Sequence, residues 1–213
     1  MHKKKAFFIT FEGIEGSGKS FQSKILYKNL KKKKFPVLLT REPGGTLGAE
    51  KIRNLILKDY FHKNKKAQFD KYTDTLLYLA ARNEHIINKI TPALSKKKII
   101  ICDRFVDSTF AYQVYGKKVN KKLIDTIHSF ILNNAKPDLT FILKVNINKA
   151  MKRINKRKTK NRYDEFSVQF YKNVQNAFIK IAKKNKKKYI VLDNSSDTNE
   201  IEKIILNKFY SKF

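Results

Sequence analysis

The sequence predicts an α/β protein with a doubly wound, five-stranded parallel sheet covered by helices on both faces. Three observations carry that prediction. Five short apolar runs recur along the 213 residues, each bounded by polar or turn residues. Helical patterns lie between them, and strand–helix alternation is the signature of crossover connections and a parallel sheet. The first apolar run leads directly into Gly13-Ile14-Glu15-Gly16-Ser17-Gly18-Lys19-Ser20, and a helix-compatible stretch follows at once.

The elements follow in order. Residues 7–11 (FFITF) read as a buried strand, and 19–30 as the helix after the glycine-rich loop. Residues 36–40 form the second strand. A helix over 47–57 groups Ile52, Leu55 and Ile56, and one over about 70–89 carries Leu77, Ala80, Ala81 and Ile87. Residues 99–102 are the third strand. The helix over 121–133 carries Ile124, Ile127 and Ile131, and the fourth strand is 139–145. A helix over 167–183 carries Phe170, Val174, Phe178 and Ile181, and 189–192 is the fifth strand. The last helix, about 200–209, has Asp197 and Glu200 as a capping pair. No internal repeat and no linker interrupts the pattern, and the length suits one domain spanning 1–213. The most polar stretch is 149–162, with eight basic residues, no acid and no glycine.

The formal net charge is +30, from 48 basic and 18 acidic residues. Only 7 of the 48 are Arg, and many lysines fall in runs at 31–34, 96–98 and 186–188, between the predicted elements. That pattern resembles coding bias toward A- and T-rich codons, and it favours a solvated surface over a specific nucleic-acid groove. The field still attracts polyanions non-specifically. No apolar run reaches the length of a spanning helix, so no membrane partner is expected. The short N-terminal apolar stretch ends at Glu12 and reads as a strand rather than a signal peptide. The one cysteine, Cys102, fits a reducing, cytoplasmic setting. In a chain that uses Lys by default, each Arg is a candidate for planar contacts to phosphate or base.

The loop at 13–20 matches G-x-x-x-x-G-K-[ST] in the strand–loop–helix context that gives this motif its meaning. Its backbone N–H groups and the following helix N-terminus suit a polyphosphate. Lys19 is placed to reach the β and γ phosphates of a nucleoside triphosphate, and the Ser20 hydroxyl to help hold Mg²⁺. Arg41-Glu42-Pro43-Gly44-Gly45-Thr46 follows the second strand, where ligands of open α/β sheets sit. Arg41 is thus either an anion contact or a surface charge on a turn. Asp103 and Arg104 close the third strand beside the loop. They suit a metal contact and a phosphate clamp, or a strand-end salt bridge. Tyr78 and Arg82 are one helical turn apart and suit stacking on a base and reading its edge, or an exposed cation–π pair. The basic segment holds Arg153, Arg157 and Arg162 and is either a lid over phosphates or a solvated helix.

Together these pieces resemble the thymidylate kinases of the bacterial type. The resemblance rests on 11–20, 40–46, Leu79-Ala80-Ala81-Arg82, Asp103-Arg104-Phe105 with Ser108-Thr109 and Ala111-Tyr112-Gln113, and 136–140. It implies a P-loop nucleotide kinase fold with strand order 2-3-1-4-5, an acceptor-binding region at about 41–113 and a lid at about 149–163. It implies transfer of the γ-phosphoryl group of ATP to dTMP, with Mg²⁺ held through Ser20 and Asp103, and a homodimer. Glu15 would contact the acceptor's 3′-hydroxyl, and Arg41 and Arg104 its phosphate. Tyr78 would stack on thymine, Arg82 and Thr109 would contact the base, and Tyr112 would disfavour a 2′-hydroxyl. Ser108 and Gln113 belong to the same acceptor motif. Arg157, with Arg153 and Arg162, would act on the transferred phosphoryl group, since the loop itself carries no Arg. Tyr78 where relatives have Phe, and Asn161 where they have Asp, depart from the family pattern. The rival readings are another nucleotide kinase on the same fold and a basic nucleic-acid-binding protein that uses ATP as a switch.

Overall fold

Five strands pair entirely in parallel in the order β2-β3-β1-β4-β5. They are β1 (Phe7–Glu12), β2 (Val37–Arg41), β3 (Ile99–Asp103), β4 (Leu139–Lys144) and β5 (Tyr189–Asp193). The structure is a computed structural model and describes residues 5–59, 69–156, 161–196 and 200–213. The expected order 2-3-1-4-5 is the order observed. Four strands run one residue past their apolar stretch, to Glu12, Arg41, Asp103 and Asp193. Ladder pairing continues there regardless of side-chain polarity: Arg41 lies opposite Asp103, and Phe11 opposite Asp103. The register therefore sets Arg41 beside Asp103 at the carboxyl edge, with Glu12 one residue beyond on β1, which positions the site.

The helices are α1 (Lys19–Lys32), α2 (Leu47–Asn54), α3 (Lys71–His85), α4 (Thr91–Ser95), α5 (Val106–Thr109), α6 (Lys121–Ile131), α7 (Ile147–Asn155), α8 (Val168–Lys183) and α9 (Glu200–Lys212). Alternation along β1 feeds two cores. Phe7, Ile9 and Phe11 pack with Leu26 and Leu30 of α1 and Ile201, Ile205 and Phe209 of α9. Phe8 faces the opposite layer with Ile86, Ile90, Ile100 and Cys102. Toward β4, Ile142 packs on Val174 and Phe178 of α8. Cys102 is a buried free thiol.

The expected helix over 47–57 changes to π-helical winding at Leu55–Asp59, and the one over 70–89 does so at Ile86–Ile90. Such winding rotates side chains off the 3.6-residue stripe: Ile87, expected in the core, is half exposed. Two helical pieces escape the apolar periodicity. One is α5 with its π-helical continuation Phe110–Gly116, and the other is α7, whose N-terminus the Asn146 side chain caps. The capping pair expected at Asp197 lies outside the described residues.

Candidate active site

The glycine-rich loop joins β1 to α1 and closes tightly. Gly16 has φ 72°, and a Cβ there would lie 2.6 Å from the Ala150 carbonyl of α7, so only glycine fits. Asn194, just after β5, donates to the Ser17 carbonyl at 2.8 Å and braces the loop from the far side. Lys19 is buried and donates to the Ile14 carbonyl at 2.6 Å. Burial pushes its pKa down to about 7, and the charge of Arg104 adds to that. This cation is poorly compensated within the loop, the state in which an anionic ligand gains most from it.

At the end of β3, the Ser20 hydroxyl donates to Asp103 Oδ2. Asp103 Oδ1 is buried and has no hydrogen-bond partner among the described residues. An orphaned carboxylate oxygen beside a hydroxyl is the donor set that a hard, oxygen-seeking cation uses, so the residues present fit Mg²⁺. Arg104 follows with φ 69°, a strained value for a side-chain-bearing residue. Its guanidinium donates to the Gly13 carbonyl at 2.9 Å, Ser108 Oγ at 3.1 Å and Glu15 Oε1 at 2.7 Å. The Tyr112 hydroxyl donates to the other Glu15 oxygen, and Arg104 lies 5.1 Å from the Tyr112 ring. Burial alone would raise the Glu15 pKa, but the charges of Arg104 and Lys19 outweigh it and hold the carboxylate ionised. Beneath this turn, Glu12 accepts from the amide of Phe105 at 2.8 Å and from Ser108 Oγ at 2.6 Å. Burial, with the nearby charge of Asp107, pushes its pKa up to about 8.

Arg82 is not an exposed partner of Tyr78, as spacing alone had allowed. It is 3% exposed, and its donors are committed. Nε bonds Glu42 at 2.8 Å, Nη1 bonds Thr109 Oγ1 at 2.7 Å and His128 Nε2 at 2.8 Å, and Nη2 bonds the Phe105 carbonyl at 2.9 Å. Burial and the charge of Arg82 push the His128 pKa down to about 3, so its ring is neutral and Nε2 accepts. Glu42 also pairs with His85 at 3.0 Å, and His85 bonds Thr40 at 2.7 Å. Gly45, at φ 93°, makes room for this stack, because a Cβ there would meet His85 at 2.7 Å. The peptide Glu42–Pro43 is cis.

An open cleft runs from Lys19 and Ser20 past Arg104 to Tyr78, Arg82 and Thr109. Glu15, Arg41, Asp103, Ser108, Tyr112 and Gln113 also line it. Arg41 is half exposed and pairs with Glu50 at 3.1 Å. Arg53, one of the seven arginines and in sequence either a phosphate or base contact or a surface charge, lines the cleft as well and donates to the Pro43 carbonyl at 2.7 Å. Tyr78 lies among Arg162, Asp74 and Tyr163, and burial pushes its pKa up to about 12.

The thymidylate kinase family model matches residues 11–205. The chain belongs to the thymidylate kinase family. The thymidylate kinase of Ehrlichia chaffeensis is 43% identical over 200 residues, covering 92% of this chain and 93% of that protein. That of Halothermothrix orenii is 38% identical over 207 residues, covering 96% of each chain. A crystal structure of the Ehrlichia chaffeensis thymidylate kinase superposes with a TM-score of 0.77 at 36% identity, over 97% of this chain and 99% of that one. Thymidylate kinases are nucleoside monophosphate kinases, and the family reaction is ATP-dependent phosphorylation of dTMP to dTDP.

In this thymidylate kinase the basic segment lies beside the phosphate loop. It opens as α7 and returns through a 3₁₀ turn, Arg162–Glu165, whose N-terminus Asn161 and Asp164 cap reciprocally. Asn161 therefore serves local structure. Arg153 donates to the Gly16 carbonyl at 2.9 Å and the Asn194 carbonyl at 3.2 Å, on the loop's outer side rather than in the cleft. Arg162 is paired with Asp74 of α3. Arg157, on which the resemblance places the main catalytic role, lies outside the described residues. Sequence reading missed the supports Glu12, Glu42, His85 and His128: the two acids stand inside the quoted motifs without a role assigned to them, and the two histidines stand outside any motif. The scarcity of Arg was a usable signal for Arg53.

Proposed function

We propose that this cleft transfers the γ-phosphoryl group of ATP to dTMP in the presence of Mg²⁺, in the cytoplasm, within one domain spanning residues 1–213. The observation that carries the reading is the partly buried Arg104–Glu15 pair, 2.7 Å apart. It joins the phosphate loop to the cleft, so donor and acceptor sites share one electrostatic unit. Residues 13–20 and Lys19 hold the donor phosphates. Ser20 and Asp103 are the residues that would hold Mg²⁺, which supplies charge neutralisation of the phosphates when bound. Arg104 and Arg41 bind the acceptor phosphate, with Ser108 keeping Arg104 in place. Glu15, kept ionised, accepts from the acceptor's 3′-hydroxyl. Tyr112 orders Glu15 and walls the sugar, beside Gln113. Tyr78 stacks on thymine, and Thr109 and Arg82 address its edge. Among its described contacts Arg82 retains one N–H, on Nη2, of the five a guanidinium offers. A lid at about 149–163 carries Arg157, which neutralises charge on the moving group, a contribution of roughly 10³–10⁵ in rate for a well-placed Arg, while Arg153 supports the phosphate loop from outside through the Gly16 carbonyl.

Coupled ADP release with Mg-ATP against dTMP, dUMP, dCMP, AMP, GMP and no acceptor tests this reading. The expected result is turnover that depends on dTMP and on Mg²⁺. Equal turnover across the panel, or hydrolysis indifferent to acceptor, would leave only the phosphate loop correctly read.

The chain also acts as a homodimer in this proposal. Leu76 on α3, Ile87 just beyond it and Phe130 on α6 are 48, 53 and 76% exposed, and these neighbouring helices are the amphipathic candidates for an interface. Light scattering should give twice the chain mass, and Phe130→Asp should shift it toward one chain. A monomer in the unsubstituted protein at micromolar concentration would overturn the dimer.

A further inference from the structure

Asp74 lies in the first turn of α3, fully buried, and carries no motif. Its two oxygens meet two cations from different parts of the chain. Lys117 Nζ, just past the π-helical piece that carries Tyr112 and Gln113, approaches Oδ2 at 2.6 Å. Arg162, at the returning end of the basic segment, donates to Oδ1. Both cations also lie on the ring of Tyr163, Arg162 at 5.0 Å and Lys117 at 5.4 Å from its centre. Tyr163 in turn stands edge-to-face against Tyr78 at 6.3 Å and Tyr112 at 5.5 Å, and Gln113 donates to its hydroxyl at 3.4 Å. Asp74 and Tyr78 are one helical turn apart. One carboxylate thus ties together the helix bearing Tyr78 and Arg82, the segment bearing Tyr112, and the turn that ends the basic segment.

From this we infer that Asp74 is a positioning residue for the acceptor. Through Arg162 and Lys117 it sets the Tyr163 ring against Tyr78 and Tyr112, and so fixes the aromatic wall of the cleft and the anchor of the basic segment together. Arg162 is then an anchor and not a group that acts on the transferred phosphoryl. The inference rests on the proposed dTMP kinase reading. It goes beyond that reading by naming the residues that hold the wall.

The test is steady-state kinetics of Asp74→Asn, Arg162→Met and the double variant, varying dTMP and ATP separately. Both single variants are expected to raise KM for dTMP about tenfold or more, with KM for ATP within about twofold of the unsubstituted enzyme, because loss of acceptor positioning appears on the acceptor's axis. The double variant should be no worse than the worse single one, since both act through one contact. Arg162→Met leaves the Lys117–Asp74 pair in place and carries the test if Asp74→Asn does not fold. Loss of kcat with KM for dTMP unchanged in Arg162→Met would return Arg162 to phosphoryl transfer and overturn the inference. Unchanged kinetics or additive effects would overturn it equally. Absence of dTMP-dependent turnover in the unsubstituted protein is a separate failure, that of the proposed function.

Discussion

Replacing Arg104 with methionine is expected to lower kcat/KM for dTMP by about three orders of magnitude or more, the scale on which a transition-state arginine acts. The size comes from two losses that share one side chain. The first is the acceptor-phosphate contact proposed for its guanidinium. The second is the partner of Glu15, since Arg104 Nη2 lies 2.7 Å from that carboxylate. Methionine keeps much of the volume but leaves Glu15 buried, with Lys19 as its remaining named cationic support. Without Arg104, burial is less opposed and the Glu15 pKa moves up. The sign follows: Glu15 is ionised well into mildly acidic solution in the unsubstituted protein, and in the variant it takes a proton at higher pH. The acid limb of the kcat/KM profile should therefore move upward as well as the whole curve moving down. Arg104→Lys should restore charge but not the fork that reaches Gly13, Ser108 and Glu15 together, and so recover only part of the rate. A loss below about tenfold, or an acid limb that stays in place, would remove Arg104 from the acceptor site.

The parts of this molecule legible in the sequence are those whose cause is local. A buried parallel strand announces itself as an apolar run, so all five strands could be placed. Their order came from family resemblance, because nothing local to a strand names its neighbour. The phosphate loop was legible because its ligands are contiguous backbone groups. Arg82 and Arg104 stood out because this chain spends so few arginines. The network that holds Arg82 is different in kind. Glu42, Thr109 and His128 are separated from it by 40, 27 and 46 residues, and each belongs to another element. His128 sits on α6 among residues that read as an ordinary amphipathic helix. Nothing in spacing says that its ring is neutral and faces a guanidinium. Asp74 was invisible for the same reason, since its partners arrive from 43 and 88 residues away. The π-helical stretches were missed because they break the very period from which helices are read. Arg53 lies between: its rarity marked it as a candidate contact, its helix position allowed a plain surface charge, and only its bond to the Pro43 carbonyl sets it in the cleft wall.

Glu42→Gln is the substitution expected to reveal that hidden network most sharply. Glu42 and Arg82 are each about 4% exposed in their side chains and 2.8 Å apart, and His85 takes the second carboxylate oxygen. Glutamine has nearly the same shape but no charge. It leaves a guanidinium buried beside a neutral imidazole, a hydroxyl and a carbonyl, with no counter-ion in contact among the described residues. Removing one member of a buried pair costs about 3–5 kcal/mol. In a chain of this size that corresponds to a fall in Tm of roughly 10 °C. The pH dependence separates this cause from simple misfit. Burial alone would raise the Glu42 pKa, but the charge of Arg82 and hydrogen bonding from His85 outweigh it, and the folded value lies below the ordinary 4.5. A carboxyl depressed on folding contributes stability that is present above its unfolded pKa and lost as pH falls through the folded one. The Tm gap between the unsubstituted protein and Glu42→Gln should therefore be full at neutral pH and narrow progressively below about pH 4.5. The same variant should raise KM for dTMP, because the Nη2 proton left for the base is aimed by the Nε bond to Glu42. A gap that persists unchanged into acid would mean that shape, and not charge, is what Glu42 supplies to Arg82.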